Sequence, residues 1–207
     1  MIDPSARIEA GAQIGKNVSI GPYCTIGAHV TMNTGTAQDR GVTTVGNKCF
    51  LMVGSHVAHD CQVGDNVIFA NNIMLGGHVV IGDNVVFGGG AAVRQFVRIG
   101  EGAMIVGLSG IRADIIPWGM AHGPLANLVG LNVIGMRRSG VLKSDILNVR
   151  RAYQTLFFGE GEFRARLEQI ERDLGKDARV RKIIDFIRAG KRPLTMAIKR
   201  GDTEEDE

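Results

Sequence analysis

Apolar side chains recur at every sixth position through the first half of the chain. Counting in sixes from Ile2 gives Ile8, Ile14, Ile20, Ile26 and Met32; counting from Val45 gives Leu51, Val57, Val63, Phe69, Leu75, Ile81, Phe87, Val93, Ile99, Ile105 and Ile111. All eighteen positions are apolar, and glycine follows many of them, as in Ile14-Gly15, Val63-Gly64 and Ile99-Gly100. A period of six is neither the 3.6 of an amphipathic helix nor the alternation of a lone strand. It matches a hexapeptide β-helix, in which short strands joined by turns each point one aliphatic side chain inward, three strands to a coil. Eighteen hexapeptides predict a β-solenoid of about six coils. Between the two registers, NTGTAQDRGVTT (residues 33–44) shifts the phase by one residue. It is polar and contains glycine, so it is predicted to loop out of the repeat.

From about Asp114 the period is lost, and Pro117, Gly119, Gly123 and Pro124 mark a change of architecture. Beyond Gly140 the pattern turns helical. Ser144 is placed to cap a helix carrying Ile146, Val149, Tyr153 and Leu156. Phe163, Leu167, Ile170 and Leu174 form a second stripe, and Val180, Ile183, Ile184 and Ile187 a third. The predicted organisation is therefore a solenoid over 1–116, a connector and helical domain over 117–200, and an acidic, disordered tail over 201–207.

Composition adds little to the fold but narrows the function. Twenty-nine glycines and only 5% aromatics fit a core of Ile and Val around repeated tight turns. The start, MIDPSARIEAG, has neither the basic end nor the apolar run of a signal peptide, and no stretch of about 18 apolar residues is present to span a membrane. Cys24, Cys49 and Cys61 do not make a disulfide framework, which fits a reducing cytoplasm. The net charge of +3 is unevenly spread: residues 137–200 hold seventeen basic against eight acidic side chains, residues 1–136 seven against eight. A basic C-terminal region is either a solvated helical surface or a dock for an acidic partner.

Candidate chemistry gathers on SHVAHDCQVG, residues 55–64. In a three-strand coil, residues eighteen apart stack on neighbouring coils about 4.8 Å apart. His59, Gly77 and Gln95 then form a column, with His78 one coil up and one residue along, and His56 on the coil of His59. His29 and His122 fall outside this patch. Four readings are open. Zinc wants three or four converging ligands, but HVAH is not a recognised zinc spacing. Cys61 is a possible nucleophile, although a residue inside a repeat strand is more often packing. The histidines could simply end strands at a wet surface. A histidine held near neutrality in a cleft is suited to general-base catalysis.

The runs VTMNTGTAQDRGVTTVGN, SHVAHDCQVGDNVIFANN, LGGHVVIGDNV, AAVRQFVRIG and NVIGMRRSG closely resemble the UDP-N-acetylglucosamine O-acyltransferases of lipid A biosynthesis. That resemblance implies a left-handed parallel β-helix with a C-terminal α-helical domain, assembled as a homotrimer with sites between subunits. It implies transfer of a 3-hydroxyacyl group from acyl carrier protein to the 3-position of a UDP-aminosugar in the cytoplasm, with no metal or cofactor and no nucleic acid partner. His59 matches the general base, Gly77 the residue whose backbone N–H serves the oxyanion, and Asp60 a carboxylate that orients the base. Neighbours on a strand point apart, so that last role requires a corner in the chain or another subunit. His56, His78 and Gln95 match substrate contacts, Asn132 and Arg138 positions near the nucleotide and phosphopantetheine ends, and Gly107 the acyl-chain ruler. The basic C-terminal region would meet the acidic carrier protein.

Three departures accompany the resemblance. Arg94 stands where the family carries a histidine, bringing a permanent charge among the substrate-contacting positions. Ile134 stands where it carries a glutamate. The family's solenoid also has several more coils between the equivalents of Val30 and Thr31, with an aspartate and a lysine that contact the sugar; here GPYCTIGAHV runs directly into TMNTGT. Besides O-acyl transfer, N-acyl transfer to the 3-amino sugar, a trimer that binds without turnover, and a metal-dependent enzyme resembling the γ-type carbonic anhydrases are alternatives.

Overall fold

A computed structural model of the chain describes residues 1–198. The acidic tail over 201–207 lies outside them. Seventeen strands of two or three residues, from Arg7–Ile8 to Gly110–Ile111, wind into a parallel β-solenoid with three faces. Face one stacks strands such as Phe50–Leu51, Ile68–Phe69 and Val86–Phe87. Face two stacks Thr31–Met32, His56–Val57, Met74–Leu75 and Ala92–Val93. Face three stacks Gln62–Val63, Val80–Ile81 and Arg98–Ile99.

One hexapeptide serves one face, and three of its positions are fixed by geometry. The six-step aliphatic points inward and is buried from Ile20 to Ile111; Ile2 and Ile8 are 41% and 39% exposed because no coil stacks below them. Two residues before it sits a second buried side chain, drawn from Val67, Ile73, Val79, Val85, Ala91 and Val97. The three cysteines occupy this position, and the thiols of Cys24, Cys49 and Cys61 donate to the carbonyls of Gly46, Gly64 and Gly76. Three residues before the aliphatic the chain turns a corner with positive φ, as at Asn66 (55°), Asn72 (61°) and Asn84 (60°). Asparagine tolerates this left-handed conformation better than most residues, and glycine, at Gly54, Gly90 and Gly102, adopts it freely.

Residues 33–42 leave the stack as predicted, but Thr43 and Thr44 do not: they belong to the strand Thr43–Val45, which pairs with Val18–Ile20. Ile20 pairs with Val45, Ile26 with Leu51 and Met32 with Val57, each 25 residues apart rather than the 18 of Val57 and Leu75. Seven extra residues in one coil are one full hexapeptide plus one, which is why the apolar phase moves by a single position.

Parallel pairing runs past residue 116. Ile115 bridges Ile99, and Gly119–His122 adds to face one beside Met104–Ile105 before turning back antiparallel through Asn127–Leu131. Four helices follow: α1 (Val133–Arg138), α2 (Lys143–Phe158), α3 (Phe163–Leu174) and α4 (Ala178–Arg188). The three apolar stripes fall on α2, α3 and α4. Ser144 is not the cap of α2: the helix begins after Leu142, and the Ser144 hydroxyl, inside the first turn, donates to Asp145. Asp145 instead complements the helix N-terminus and pairs with Arg179 of α4.

Arg98 fastens the helices to the solenoid. Its guanidinium binds the buried Asp114 carboxylate at 2.7 Å, donates to the Phe186 carbonyl at 2.9 Å and stacks 4.2 Å from the Phe186 ring. Asp114 also exchanges backbone hydrogen bonds with Pro193 and Thr195, so the segment after α4 lies against the uppermost coils. No helix among the described residues is long and apolar enough to cross a membrane.

Candidate active site

His59 and Asp60 fall on the corner between faces two and three. Asp60 takes a φ of 59°, the same corner conformation as Asn66 and Asn72. The chain therefore turns between the two residues, and neighbours that would point apart on a strand meet: His59 Nδ1 lies 3.1 Å from Asp60 Oδ2. The corner is supplied within one chain. Burial alone would raise the pKa of Asp60, which is 1% exposed. The Thr36 hydroxyl and amide, reaching in from the 33–44 loop at 2.7 and 3.0 Å, together with His59, hold it down at about 2. Asp60 is thus a fixed anion at neutral pH, and it accepts a hydrogen bond from His59 Nδ1–H.

One coil up, Gly77 faces the other side of the His59 ring. A methyl group at position 77 would stand 2.5 Å from His59 Cε1 and 2.6 Å from Nε2, so only glycine leaves the imidazole where it is. Gly77 is itself buried, and its N–H finds no acceptor among the described residues. The predicted column is present, since His78 N–H donates to the His59 carbonyl and Phe96 N–H to the Gly77 carbonyl. His78 meets His59 edge to face with centroids 4.8 Å apart, stacks on Phe96 at 4.4 Å, and places Nδ1 2.6 Å from Asp39 of the loop. Arg192 rests over the Phe96 ring at 5.6 Å.

His56 lies on the same coil, its Nδ1 2.7 Å from the Thr31 hydroxyl, and burial lowers its pKa. With His59, Thr31, Met32 and Gln13 it lines an open groove of about 730 Å3 along face two. Gln95 and Arg94 are exposed above it. His59, Asp60 and His78 offer ligand atoms within 4.8 Å of one another, the geometry that keeps a metal in view. Both Asp60 oxygens, however, are already engaged by Thr36, and Oδ2 by His59 as well. Such a carboxylate orients an imidazole more readily than it ligates an ion. Cys61 is 0% exposed and its thiol is pushed up to about 11 by burial, which suits packing and not nucleophilic attack.

The remaining predicted residues lie away from this groove. Gly107 sits at the corner between faces one and two, where a Cβ would come closest to the Gly89 carbonyl, at 3.1 Å, with Gly89 N and the Gly88 carbonyl carbon at 3.6 and 3.7 Å. Asn132 and Arg138 line a separate cavity of about 560 Å3 with Trp118, Glu101 and the exposed Ile134. Asn132 caps α1 through Gly135 N–H and donates to the Gly102 carbonyl, so much of its hydrogen-bonding capacity is engaged inside the fold. One chain brings together His56, His59, Asp60, Gly77, His78 and Gln95. It does not bring Gly107, Asn132 or Arg138 to them. Sequence reasoning missed Thr36, Asp39 and Phe96. The six-step recurrence of Asn66, Asn72 and Asn84 marks the corner position on which Asp60, His78 and Phe96 also fall, and the spacing of eighteen between those three would have shown that they share one edge.

A family model described as domain 2 of UDP-N-acetylglucosamine O-acyltransferase matches residues 114–195. A model of the bacterial transferase hexapeptide (six repeats) matches 1–34 and 43–77, the break coinciding with the loop. The solved UDP-N-acetylglucosamine O-acyltransferase of Moraxella catarrhalis is 31% identical with a TM-score of 0.79, over 94% of this chain and 99% of that one. This chain belongs to the UDP-N-acetylglucosamine O-acyltransferase family. The UDP-N-acetylglucosamine acyltransferase of Bacteroides fragilis is 30% identical with a TM-score of 0.78, over 93% and 85% of the two chains. A curated acyl-[acyl-carrier-protein]–UDP-N-acetylglucosamine O-acyltransferase from Azorhizobium caulinodans is 56% identical over 78% of this chain. The matched region spans 59% of the length of that relative. The fold described above, a parallel β-solenoid of hexapeptide repeats with helices at its C-terminal end, is shared with these solved relatives.

Proposed function

We propose that this chain is an acyltransferase moving a 3-hydroxyacyl group from the thioester of an acyl carrier protein to the 3-hydroxyl of UDP-N-acetylglucosamine, the first step of lipid A biosynthesis. The observation that carries the reading is His59, held at Nδ1 by an ionised Asp60 and packed on the other side against Gly77, whose N–H has no acceptor among the described residues. His59 Nε2 takes the hydroxyl proton as the sugar oxygen attacks the thioester carbonyl. The oxyanion of the tetrahedral intermediate accepts the Gly77 N–H. Collapse expels the thiolate, which recovers the proton from the imidazolium, leaving an ester and a free carrier thiol. The donor arrives activated, so the step calls for no metal or cofactor of the protein's own. His56, His78, Gln95 and Arg94 contact the sugar or its diphosphate.

Gly107 lies on another edge of the solenoid and Asn132 and Arg138 at the two ends of α1, and a homotrimer supplies them from neighbouring subunits to complete each site. The basic helices receive the acidic carrier protein, with Gly107 leaving room for a long acyl chain. Three free cysteine thiols suit the cytoplasm, where both substrates would be met. A second reading, amide formation on the 3-amino sugar, is favoured by Arg94 and Ile134, which replace the residues the family carries there. Purified protein given carrier-bound acyl donors and each acceptor in turn tests both. Mass spectrometry showing an O-acyl product supports the main reading and an N-acyl product the second; binding of both substrates without any product overturns both. Sedimentation measures the trimer directly.

A further inference from the structure

Each of the three histidines along the candidate site has its Nδ1 held by an oxygen: His56 by Thr31, His59 by Asp60 and His78 by Asp39. Two of these anchors depend on the seven-residue insertion. Its Thr36 fixes Asp60 through three contacts, and its Asp39 reaches His78 at 2.6 Å across 39 residues of sequence. No other described side chain bonds the His78 ring, and its Nε2 has no partner among the described residues. We infer that Asp39 is a positioning residue: by accepting Nδ1–H it fixes the tautomer of His78, so that Nε2 is presented as an acceptor for an N–H or O–H of the acceptor sugar beside its reacting hydroxyl. The inference rests on the proposed sugar site, and it makes the loop a device that orients the ring next to the base.

The physical reason is the preference of a free neutral imidazole for the other tautomer, with the proton on Nε2. A carboxylate on Nδ1 reverses that order and locks the ring plane, as outer partners do for histidines that must present one nitrogen. His78 is also wedged between His59 and Phe96, so a ring turned or re-protonated by losing Asp39 would disturb the base beside it. Asp39 is 46% exposed and supports no core contact, which leaves it free to serve orientation rather than folding.

The test uses full-length protein labelled with 15N-histidine, the His78 signals being assigned by their loss in His78→Gln. At neutral pH the wild type should show a protonated-type shift at His78 Nδ1 and an unprotonated-type shift at Nε2. Asp39→Ala should reverse the pattern and lower kcat/KM for the sugar by roughly five- to tenfold, the size of one charge-assisted hydrogen bond at a half-exposed site. Asp39→Asn, whose amide oxygen still accepts from Nδ1–H, should keep the tautomer and restore most of the activity. A wild-type Nδ1 without a proton, or an Asp39→Ala spectrum unchanged from wild type, overturns the assignment. A reversed tautomer with unchanged kcat/KM overturns its role in turnover. If the wild type shows no acyl transfer, the proposed function fails while the spectra still decide the role of Asp39.

Discussion

Replacing Gly77 by alanine isolates the placement of His59 from the supply of the oxyanion donor. Alanine keeps the backbone N–H, and residue 77 has no positive φ, so the main chain has no reason to move. The new methyl would lie 2.5 Å from His59 Cε1 and 2.6 Å from Nε2, whereas ordinary contact begins at 3.4 Å, so the ring must retreat by about 0.9 Å. The His59 side chain is 38% exposed and has solvent to move into. Shifting a catalytic group by about 1 Å costs about a hundredfold in rate. Gly77→Ala should therefore lose about two orders of magnitude in kcat/KM while its melting temperature stays near that of the wild type, the added methyl costing little at a strain-free backbone position. Initial rates of carrier-dependent acyl transfer read the first quantity and thermal melts the second. Since the loss acts through His59, adding Gly77→Ala to His59→Ala should lower activity no further. A Gly77→Ala variant as active as the wild type, or a double variant with multiplied losses, would refute the packing argument.

Other consequences follow from the same geometry. Asp60 is held at about 2, below the ordinary carboxylate value, so its ionised form favours the fold; that contribution is complete above about pH 4 and is lost as pH falls through about 2. Asp60→Asn should flatten this acid part of the stability curve in denaturant titrations, and a curve identical to wild type would contradict the assignment. Arg98→Ala leaves the buried Asp114 carboxylate with only the Arg98 N–H and removes the stack on Phe186, and should cost about 3 kcal/mol in denaturant unfolding. Cys61→Ala should keep wild-type turnover, and native protein should resist thiol alkylation at Cys61; rapid modification or lost activity would restore a chemical role to that thiol.

Much of the fold was legible because one apolar side chain at a fixed place in each hexapeptide is a strict demand, and the sequence meets it at all eighteen positions. The loop was legible because its length broke the phase by one. The stacking of His59 under Gly77 and beside His78 followed from counting eighteen residues to a coil. What the spacing did not announce was the corner: a strand-like reading separates His59 from Asp60, whereas a φ of 59° joins them. The contacts of Thr36 and Asp39 depend on how an irregular segment folds back over the stack, and no period encodes that. Ser144 misled because serine caps helices only where the chain enters them, and here the entry lies at Leu142.

The central claim is that His59 is the base for acyl transfer. The most direct measurement compares kcat/KM for carrier-dependent acylation of UDP-N-acetylglucosamine by the wild type and by His59→Ala, with both proteins shown to share one oligomeric state and melting temperature. A general base contributes roughly 10²- to 10⁴-fold. A loss of that size, with the acceptor still bound, is the predicted result; a His59→Ala variant that turns over at the wild-type rate would contradict the account.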